Sequence, residues 1–338
     1  MTPTVTAVVL AYGPEPWFED AVRAVLASTG VSLDVVVVDN GYTGDAIDRV
    51  KALPGTRVLT PAENTGYAGG TGLGAAEATG EYLLFVNSDA FVAPDAVARL
   101  VAVAGEPGVG LAMGSIRLAD RPELLNTAGN PIHYVGLVWS GGYGEPADRY
   151  TVRRRVPAGS GCCFAIRRAL WESLGGFPAE YFAYHEDTEL SLRLHQRGLA
   201  VEYVPDAVVR HHYQFSRNDL KNYLLERNRL VLLLTAYQAR TLAVLAPMLA
   251  LTEAGMLATA TLGGWWRAKL RGYRWLWRHR AWIRARRARL QRERTVPDRA
   301  LVPLLTSRFD PSNVEAPRGV RVFNAVAGAY WSLARRLL

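Results

Sequence analysis

Residues 4–10 (TVTAVVL) and 34–39 (DVVVVD) are near-continuous β-branched runs, separated by a segment of helical spacing over 15–28. A strand apolar on both faces is covered on both faces, which is the condition of a parallel strand between helices. The alternation continues with a helix over 45–53, a strand over 57–60, a helix over 68–79, a strand over 82–86, a helix over 94–104 and a strand over 109–113. Such a series predicts an open, wound α/β sheet. Ligands of these sheets lie beyond the carboxyl ends of the strands. Asp39-Asn40 and Asn87-Ser88-Asp89 fall at two such ends.

Asp39 closes a run of four valines, where an unpaired buried carboxylate would cost several kcal/mol. It is read either as a strand-tip acceptor for a ligand N–H or as a turn aspartate bonding its own backbone. Asp89, just past a strand, suits a divalent cation that bridges phosphate oxygens, or else caps the helix over 94–104. Residues 70–75 (GTGLGA) fit a G-x-G-x-x-A fingerprint, but PAEN intervenes where a strand should lead directly into it. These glycines read instead as a tightly packed helix face, with Asn64 reaching a ligand from the loop before it. Residues 114–156 are read as an irregular excursion whose aromatics, Trp139 among them, could stack on a planar or sugar ligand or simply pack.

The stretch 157–212 has the strongest appearance of a site. Gly-Ser-Gly precedes a short apolar run over 162–166, and a helical segment ends at Gly175-Gly176. An aromatic loop (Phe177, Tyr181, Phe182, Tyr184) then delivers Glu186 and Asp187 to a helix stopped by Gly198. A β-type run follows and ends in His211-His212. Arg167 and Arg168 are read either as diphosphate contacts or as structural helix-start arginines.

Hydrophobic residues make up 49% of the 338, so a large core is affordable. The two cysteines are neighbours, Cys162 and Cys163, which suits neither a bridge nor a structural zinc site and suggests buried thiols in a reducing compartment. The first thirty residues show no signal-peptide pattern. The net charge of +8 is concentrated: residues 265–294 hold eleven arginines and one lysine against a single acid, Glu293. Beside them, 241–264 is almost uniformly apolar, interrupted by Pro247 and Glu253. Nucleic acid would explain the charge but not the apolar neighbour. The pair predicts a membrane-associating helix, lying at the interface or spanning, with Glu253 arguing against a span; a soluble helical extension is the remaining reading.

Five stretches carry a family resemblance: TAVVLAY, VVVVDNGYTGD, ENTGYAGGTGLGAAEATGEYLLFVNSDA, GSGCCFAIRRALWESLGGF and YFAYHEDTELSLRLHQRGLAVEYVPDAVVRHH. In this order they resemble the inverting family 2 glycosyltransferases, particularly the bacterial rhamnosyltransferase-like branch, over about residues 4–216. The resemblance implies a GT-A-type wound mixed sheet with a Rossmann-like nucleotide-binding half. It gives a catalytic domain over 1–220, with nucleotide sugar on 1–113 and acceptor on 114–220; the apolar and arginine-rich runs make 221–338 a helical, basic, membrane-associating region. It implies sugar transfer, rhamnose being one candidate, from a dTDP- or UDP-linked donor to a glycan or polyprenyl-diphosphate-linked acceptor. The location implied is the cytoplasmic face of the plasma membrane. A nucleotidyltransferase or a nucleotide-sugar-binding protein on the same fold is the alternative.

Carried over by residue, the resemblance puts Ala11, Asp39, Asn64, Gly66, Asn87, Ser88 and Asp89 on the nucleotide sugar. It puts Asp89 and His211 on a divalent cation, Mg²⁺ or Mn²⁺. Asp187 becomes the general base with Glu186 beside it, and Tyr184, His185 and Trp139 meet the acceptor. Departures are visible: Asn87 stands where the metal motif has its first carboxylate, Gly13 where the first loop often has Asn, Glu189 where Asp is usual, and Pro178 where an acid is common.

Overall fold

The computed structural model describes residues 2–213, 218–311 and 319–338. The chain forms two compact units: one of 1–130, 140–194 and 199–214, the other of 131–139, 195–198 and 215–338.

The elements run β1 (Thr4–Gly13), α1 (Phe18–Leu26), β2 (Ser32–Tyr42), α2 (Ile47–Lys51), β3 (Thr56–Leu59), α3 (Gly66–Ala76), β4 (Tyr82–Asn87), β5 (Ala90–Val92), α4 (Ala96–Ala104), β6 (Val109–Leu118) and β7 (Arg121–Thr127). After β8 (Ile132–His133), which belongs to the second unit, come β9 (Arg154–Arg155), β10 (Cys163–Arg167), α5 (Arg168–Leu174), α6 (Glu186–Gln196) and β11 (Ala200–His211).

One mixed sheet has the order β3-β2-β1-β4-β10-β6-β11-β5, with β7 added on β6 and β9 on β11. The first four of these strands are parallel, as the valine runs predict. Val35 to Val38 are wholly buried, each side chain contributing roughly 1.5–3 kcal/mol. β10 enters antiparallel to both β4 and β6, while β6 and β11 are parallel and β5 returns antiparallel to β11. The expected halves, 1–113 and 114–220, are therefore parts of a single sheet.

Helix α3 spans Gly66–Ala76, beginning two residues before and ending three residues before the expected 68–79. Two of its glycines face the sheet: a Cβ on Gly74 would lie 2.6 Å from Val8 Cγ1 and 3.0 Å from Val38 Cγ2, and one on Gly70 would run into Leu10, while one on Gly72 would meet open space. Close helix–strand approach accounts for this cluster, as its sequence context suggested.

The second unit contains β8 with α7 (Asp219–Ala236), α8 (Ala239–Leu262), α9 (Trp266–Arg278), α10 (Arg280–Glu293), β12 (Leu305–Thr306) and α11 (Val320–Ala334). β12 pairs parallel with β8, which draws 131–139 out of the first unit. The apolar run is helix α8 and the arginine-rich run is α9 and α10. Glu253, near the middle of α8, is paired: Arg229 of α7 and Lys269 of α9 (2.9 Å) flank it, and Tyr273 Oη donates to it at 2.6 Å. The same two cations hold Glu226 of α7. Burial works against the charge of Glu253, but Arg229, Tyr273 and Lys269 hold its pKa down at about 2.

Candidate functional site

The first unit gathers its chemistry at the carboxyl end of β4. Because β10 runs antiparallel, the residues just before it lie beside that end. Asn87 N–H donates to the Cys162 carbonyl at 2.9 Å, and the preceding Gly161 N–H donates to Asp187 Oδ2 at 3.0 Å. Tyr67 Oη donates to the Gly161 carbonyl at 2.6 Å. Two consecutive residues, Gly161 and Cys162, thus tie β4, the glycine helix and the start of α6 together through three backbone groups.

Past β4, Asn87, Ser88 and Asp89 are half-buried, and β5 leads back onto β11 with Ala90 opposite His211. That register sets His211 Nε2 3.1 Å from Asp89 Oδ1. On the other side of the ring Nδ1 lies 2.9 Å from Asn126 Oδ1. An Nδ1–H donated to Asn126 leaves Nε2 as a lone pair facing a carboxylate oxygen, an arrangement that calls for a cation or a proton between them. A carboxylate oxygen and an imidazole nitrogen side by side fit a divalent cation. Among the described residues no three His, Cys, Asp or Glu side chains are grouped to hold a metal. Glu15, in the loop after β1, lies near enough to feel both: burial first, then the Asp89 charge, push its carboxyl above the ordinary range. The sequence offered no reason to choose Glu15 or Asn126. His212 takes a different part, stacking on Trp17 at 4.0 Å between ring centres.

At the neighbouring strand ends Ala11 of β1 is opposite Asp39 of β2. Ala11 is wholly buried, so only its backbone is on offer there. Asp39 Oδ1 accepts from the backbone N–H groups of Gly41 (3.3 Å) and Tyr42 (3.0 Å), the turn role weighed from sequence, while the residue stays half-exposed. Asn40 was overlooked. Its side chain is buried and holds the whole next loop: Nδ2 donates to Asn64 Oδ1 (2.9 Å), and Oδ1 accepts from Thr65 N–H (2.9 Å) and Thr65 Oγ1–H (3.1 Å). Asn64 Oδ1 also accepts from Gly66 N–H at 2.8 Å, so Asn64 shapes its loop rather than simply extending from it. Gly66 has φ +71°, and a Cβ there would strike the Phe182 carbonyl. Only glycine meets both demands.

The loop before the acids is strained. Phe182, Tyr184 and His185 all have positive φ (64°, 71° and 68°), the only non-glycine residues to do so among those described. Each costs of order 1–3 kcal/mol, and such clusters mark functional turns. The turn presents Glu186 and Asp187 at the N-terminus of α6, where backbone N–H groups favour negative charge. Asp187 accepts from Gly161 N–H, from Thr188 N–H (2.6 Å) and from Thr188 Oγ1–H (3.1 Å). Glu186 Oε2 is buried without a hydrogen-bond partner. Burial raises both carboxyls. Asp187 is pulled back by its three donors, while Glu186, pushed further by the Asp187 charge, goes well above the usual range.

Other readings are redirected by the structure. Arg167 and Arg168 lie at the opposite end of β4, with Arg167 across from Tyr82, and bind the Gly105 and Gly80 carbonyls. They hold the sheet's far edge and are no diphosphate contacts. Trp139 belongs to the second unit, edge-on to Phe309 at 5.3 Å, whereas Tyr184 and His185 stand in the first beside the acids. Glu189 is fully buried against Arg193 at 2.8 Å, and that arginine donates to the Leu174 and Gly176 carbonyls. Its larger carboxylate therefore secures the Gly175-Gly176 turn.

A family profile described as Glycosyl transferase family 2 matches residues 6–175. The chain is 27% identical over 243 residues to the N-acetylglucosaminyl-diphospho-decaprenol L-rhamnosyltransferase of Mycobacterium tuberculosis, covering 63% of this chain and 77% of that protein. In fold it is similar to GalNAc-T7, solved with UDP, GalNAc and Mn²⁺ (TM-score 0.57, 18% identity), over 69% of this chain and 49% of that one. This chain thus spans about half of that protein. It is also similar to residues 1–349 of Staphylococcus aureus TarS in complex with UDP (TM-score 0.53, 16% identity), over 99% of this chain and 90% of the other. A mixed α/β sheet of the GT-A kind is common to this chain and these two solved structures.

Proposed function

The chain belongs to glycosyl transferase family 2 and is a glycosyltransferase; from that premise we propose that it moves a sugar, with inversion, from a nucleoside-diphosphate donor to a hydroxyl of a glycan or lipid-linked glycan. A dTDP- or UDP-linked donor and rhamnose are the first choices, on the likeness to the mycobacterial rhamnosyltransferase, and a polyprenyl-diphosphate-linked acceptor would be met at the cytoplasmic membrane surface.

The observation carrying this reading is the unequal pair at the start of α6. Two adjacent buried carboxyls do not both ionise readily, and their surroundings decide which one does. Asp187, with three donors on it, holds the negative charge; Glu186, with an orphan oxygen, keeps its proton. Asp187 then accepts the proton of the acceptor hydroxyl as that oxygen attacks the anomeric carbon. Glu186 donates a hydrogen bond to a sugar oxygen. The strained turn fixes both, and the aromatic rings of Tyr67 and Phe177 (6.2 Å apart) exclude water behind them.

Asp89 and His211 Nε2 would hold a divalent cation, Mn²⁺ or Mg²⁺, whose contribution is to offset charge on the departing diphosphate. The loop of Asn64 and Gly66, set by Asn40, would shape the donor pocket beside Asp39. The test is to incubate the purified protein with UDP- and dTDP-sugars and a lipid-linked disaccharide, following nucleoside diphosphate release and the anomeric configuration of the product. Transfer with inversion that Asp187→Asn abolishes supports the proposal; retention of configuration, or no transfer from any donor, overturns it.

A further inference from the structure

The apolar helix α8 invites two incompatible readings, a span and an interfacial anchor. It is the one described helix long and apolar enough to cross a bilayer, with mean hydropathy 1.6 and only 22% of its best window buried. Glu253 decides between them. It lies about 21 Å from the start of α8 and about 14 Å from its end, at 1.5 Å per residue, so a spanning helix would carry it deep into hydrocarbon. There it would have to bring its partners along. Lys269 and Tyr273 belong to α9, whose Arg267, Arg271, Arg274 and Arg278 would descend with them, and Arg229 belongs to α7. Separating the cluster instead would leave bare charges in hydrocarbon.

The outward face of α8 nevertheless has no charge between Arg240 and Trp265. Ala246, Ala250, Leu251, Leu257 and Leu262 are exposed on it, Leu262 by 91%. Helix α11 packs beside α8, Tyr330 Oη donating to the Val244 carbonyl, and it too turns apolar residues outward. Val322, Ala325, Val326, Ala329 and Leu333 are all exposed, at helical spacing. Cations stand at the ends of these faces: Arg240 at the start of α8, Arg321 and Arg335-Arg336 at the two ends of α11. Apolar stripes bounded by arginines match a leaflet of acyl chains beneath anionic headgroups.

We infer that α8 and α11 form a monotopic docking surface for an anionic lipid bilayer, with α8 lying in the membrane plane and Glu253 turned inward to its ion cluster. The inference deepens the membrane location proposed above and is independent of the sugar-transfer reading.

The test uses the full-length protein and vesicles of phosphatidylcholine with or without phosphatidylglycerol. Single cysteines replacing Leu257 and Val326 are labelled with an environment-sensitive dye; Cys162 and Cys163 are buried. Expected are sedimentation with the anionic vesicles, blue shifts at both positions, and stronger quenching by shallow than by deep lipid nitroxides. Replacing Arg335 and Arg336 by Gln should lower partitioning about fivefold for each charge removed. Leu257→Asp and Val326→Asp, both outside the catalytic unit, should abolish vesicle binding yet leave donor turnover with a soluble acceptor intact. Deeper quenching at an Ala254→Cys label would mean a span and overturn the proposal. So would equal binding to neutral vesicles, no binding to either, or lipid-independent dimerisation that Leu257→Asp removes. Loss of turnover with vesicle binding retained would fall on the sugar-transfer reading alone.

Discussion

Asn40 Nδ2 donates to Asn64 Oδ1 across a 2.9 Å gap, joining the end of β2 to the loop that opens α3. The same amide accepts from Thr65 through its oxygen, so one buried side chain satisfies donors and acceptors that would otherwise be stranded. Replacing Asn40 by Ala is expected to cost about 1–3 kcal/mol of loop order. The measurement is the KM for the nucleotide sugar, which should rise while kcat changes much less; an unaltered KM would separate this loop from donor binding.

Asp187→Asn and Glu186→Gln should behave differently although the residues are adjacent. Removing the base should lower kcat by about 10²–10⁴, roughly 3–5 kcal/mol of barrier. Glutamine at 186 reproduces a protonated carboxyl and should keep most of the activity. Single-turnover rates of the two variants measure this division of labour, and equal losses would contradict it.

The pair also sets pH behaviour. Burial raises Asp187 above its ordinary 3.8, so kcat/KM should fall on the acid side at a pH higher than a free aspartate would give. Stability moves in the opposite sense. The folded protein binds a proton on Glu186 that the unfolded chain releases above about 4.5, so this group's stabilising contribution is fully present below that value and is lost as pH rises from there through the raised pKa of the folded state. Glu186→Gln should therefore raise the melting temperature at pH 7–8 and leave it nearly unchanged at pH 4. Parallel thermal melts at the two pH values supply the check.

Asn126 Oδ1 stands 2.9 Å from His211 Nδ1, where accepting an Nδ1–H would leave Nε2 free to ligate. Substituting Asn126 by Ala should weaken Mn²⁺ binding about 10–100-fold, as for other partners that orient a metal-ligating histidine. Titration followed by electron paramagnetic resonance, with nucleoside diphosphate present, reads this without turnover. Chelation of divalent cations should stop transfer and added Mn²⁺ restore it.

In the second unit Glu226 is buried between Arg229 and Lys269. Glu226→Leu leaves two cations to share Glu253 and should destabilise this unit by about 3–5 kcal/mol. Seven of the nine tryptophans, Trp139, Trp265, Trp266, Trp275, Trp277, Trp282 and Trp331, lie there, so denaturation followed by tryptophan fluorescence reports mainly on this unit.

Much of this was legible before any coordinates. Valine runs specify parallel buried strands, and GTGLGA after PAEN, where no strand leads directly into it, favours a packing face over a dinucleotide fingerprint. Periodicity has no sign for direction, so the reversal of β10 was hidden, and with it the fate of Arg167 and Arg168. Asp39 drew attention from Asn40 because a carboxylate looks costlier than an amide, yet the amide is the buried one. Positive φ at Phe182, Tyr184 and His185 has no signature in those residue types. That Trp139 falls in the second unit has no local signal, because β8 pairs with a strand about 170 residues later.

Strand β10 sits between β4 and β6, running against both. Cutting the chain after Met113 would remove β10 together with β11, and so strip both β5 and the stub of β6 of the strands they pair with. The border left on β4, apolar from Leu83 to Val86, would be ready to pair with any other chain. The donor-binding segment cannot be lifted out as an independent module; whoever recombines such enzymes should exchange the sheet whole, through His211, or not at all.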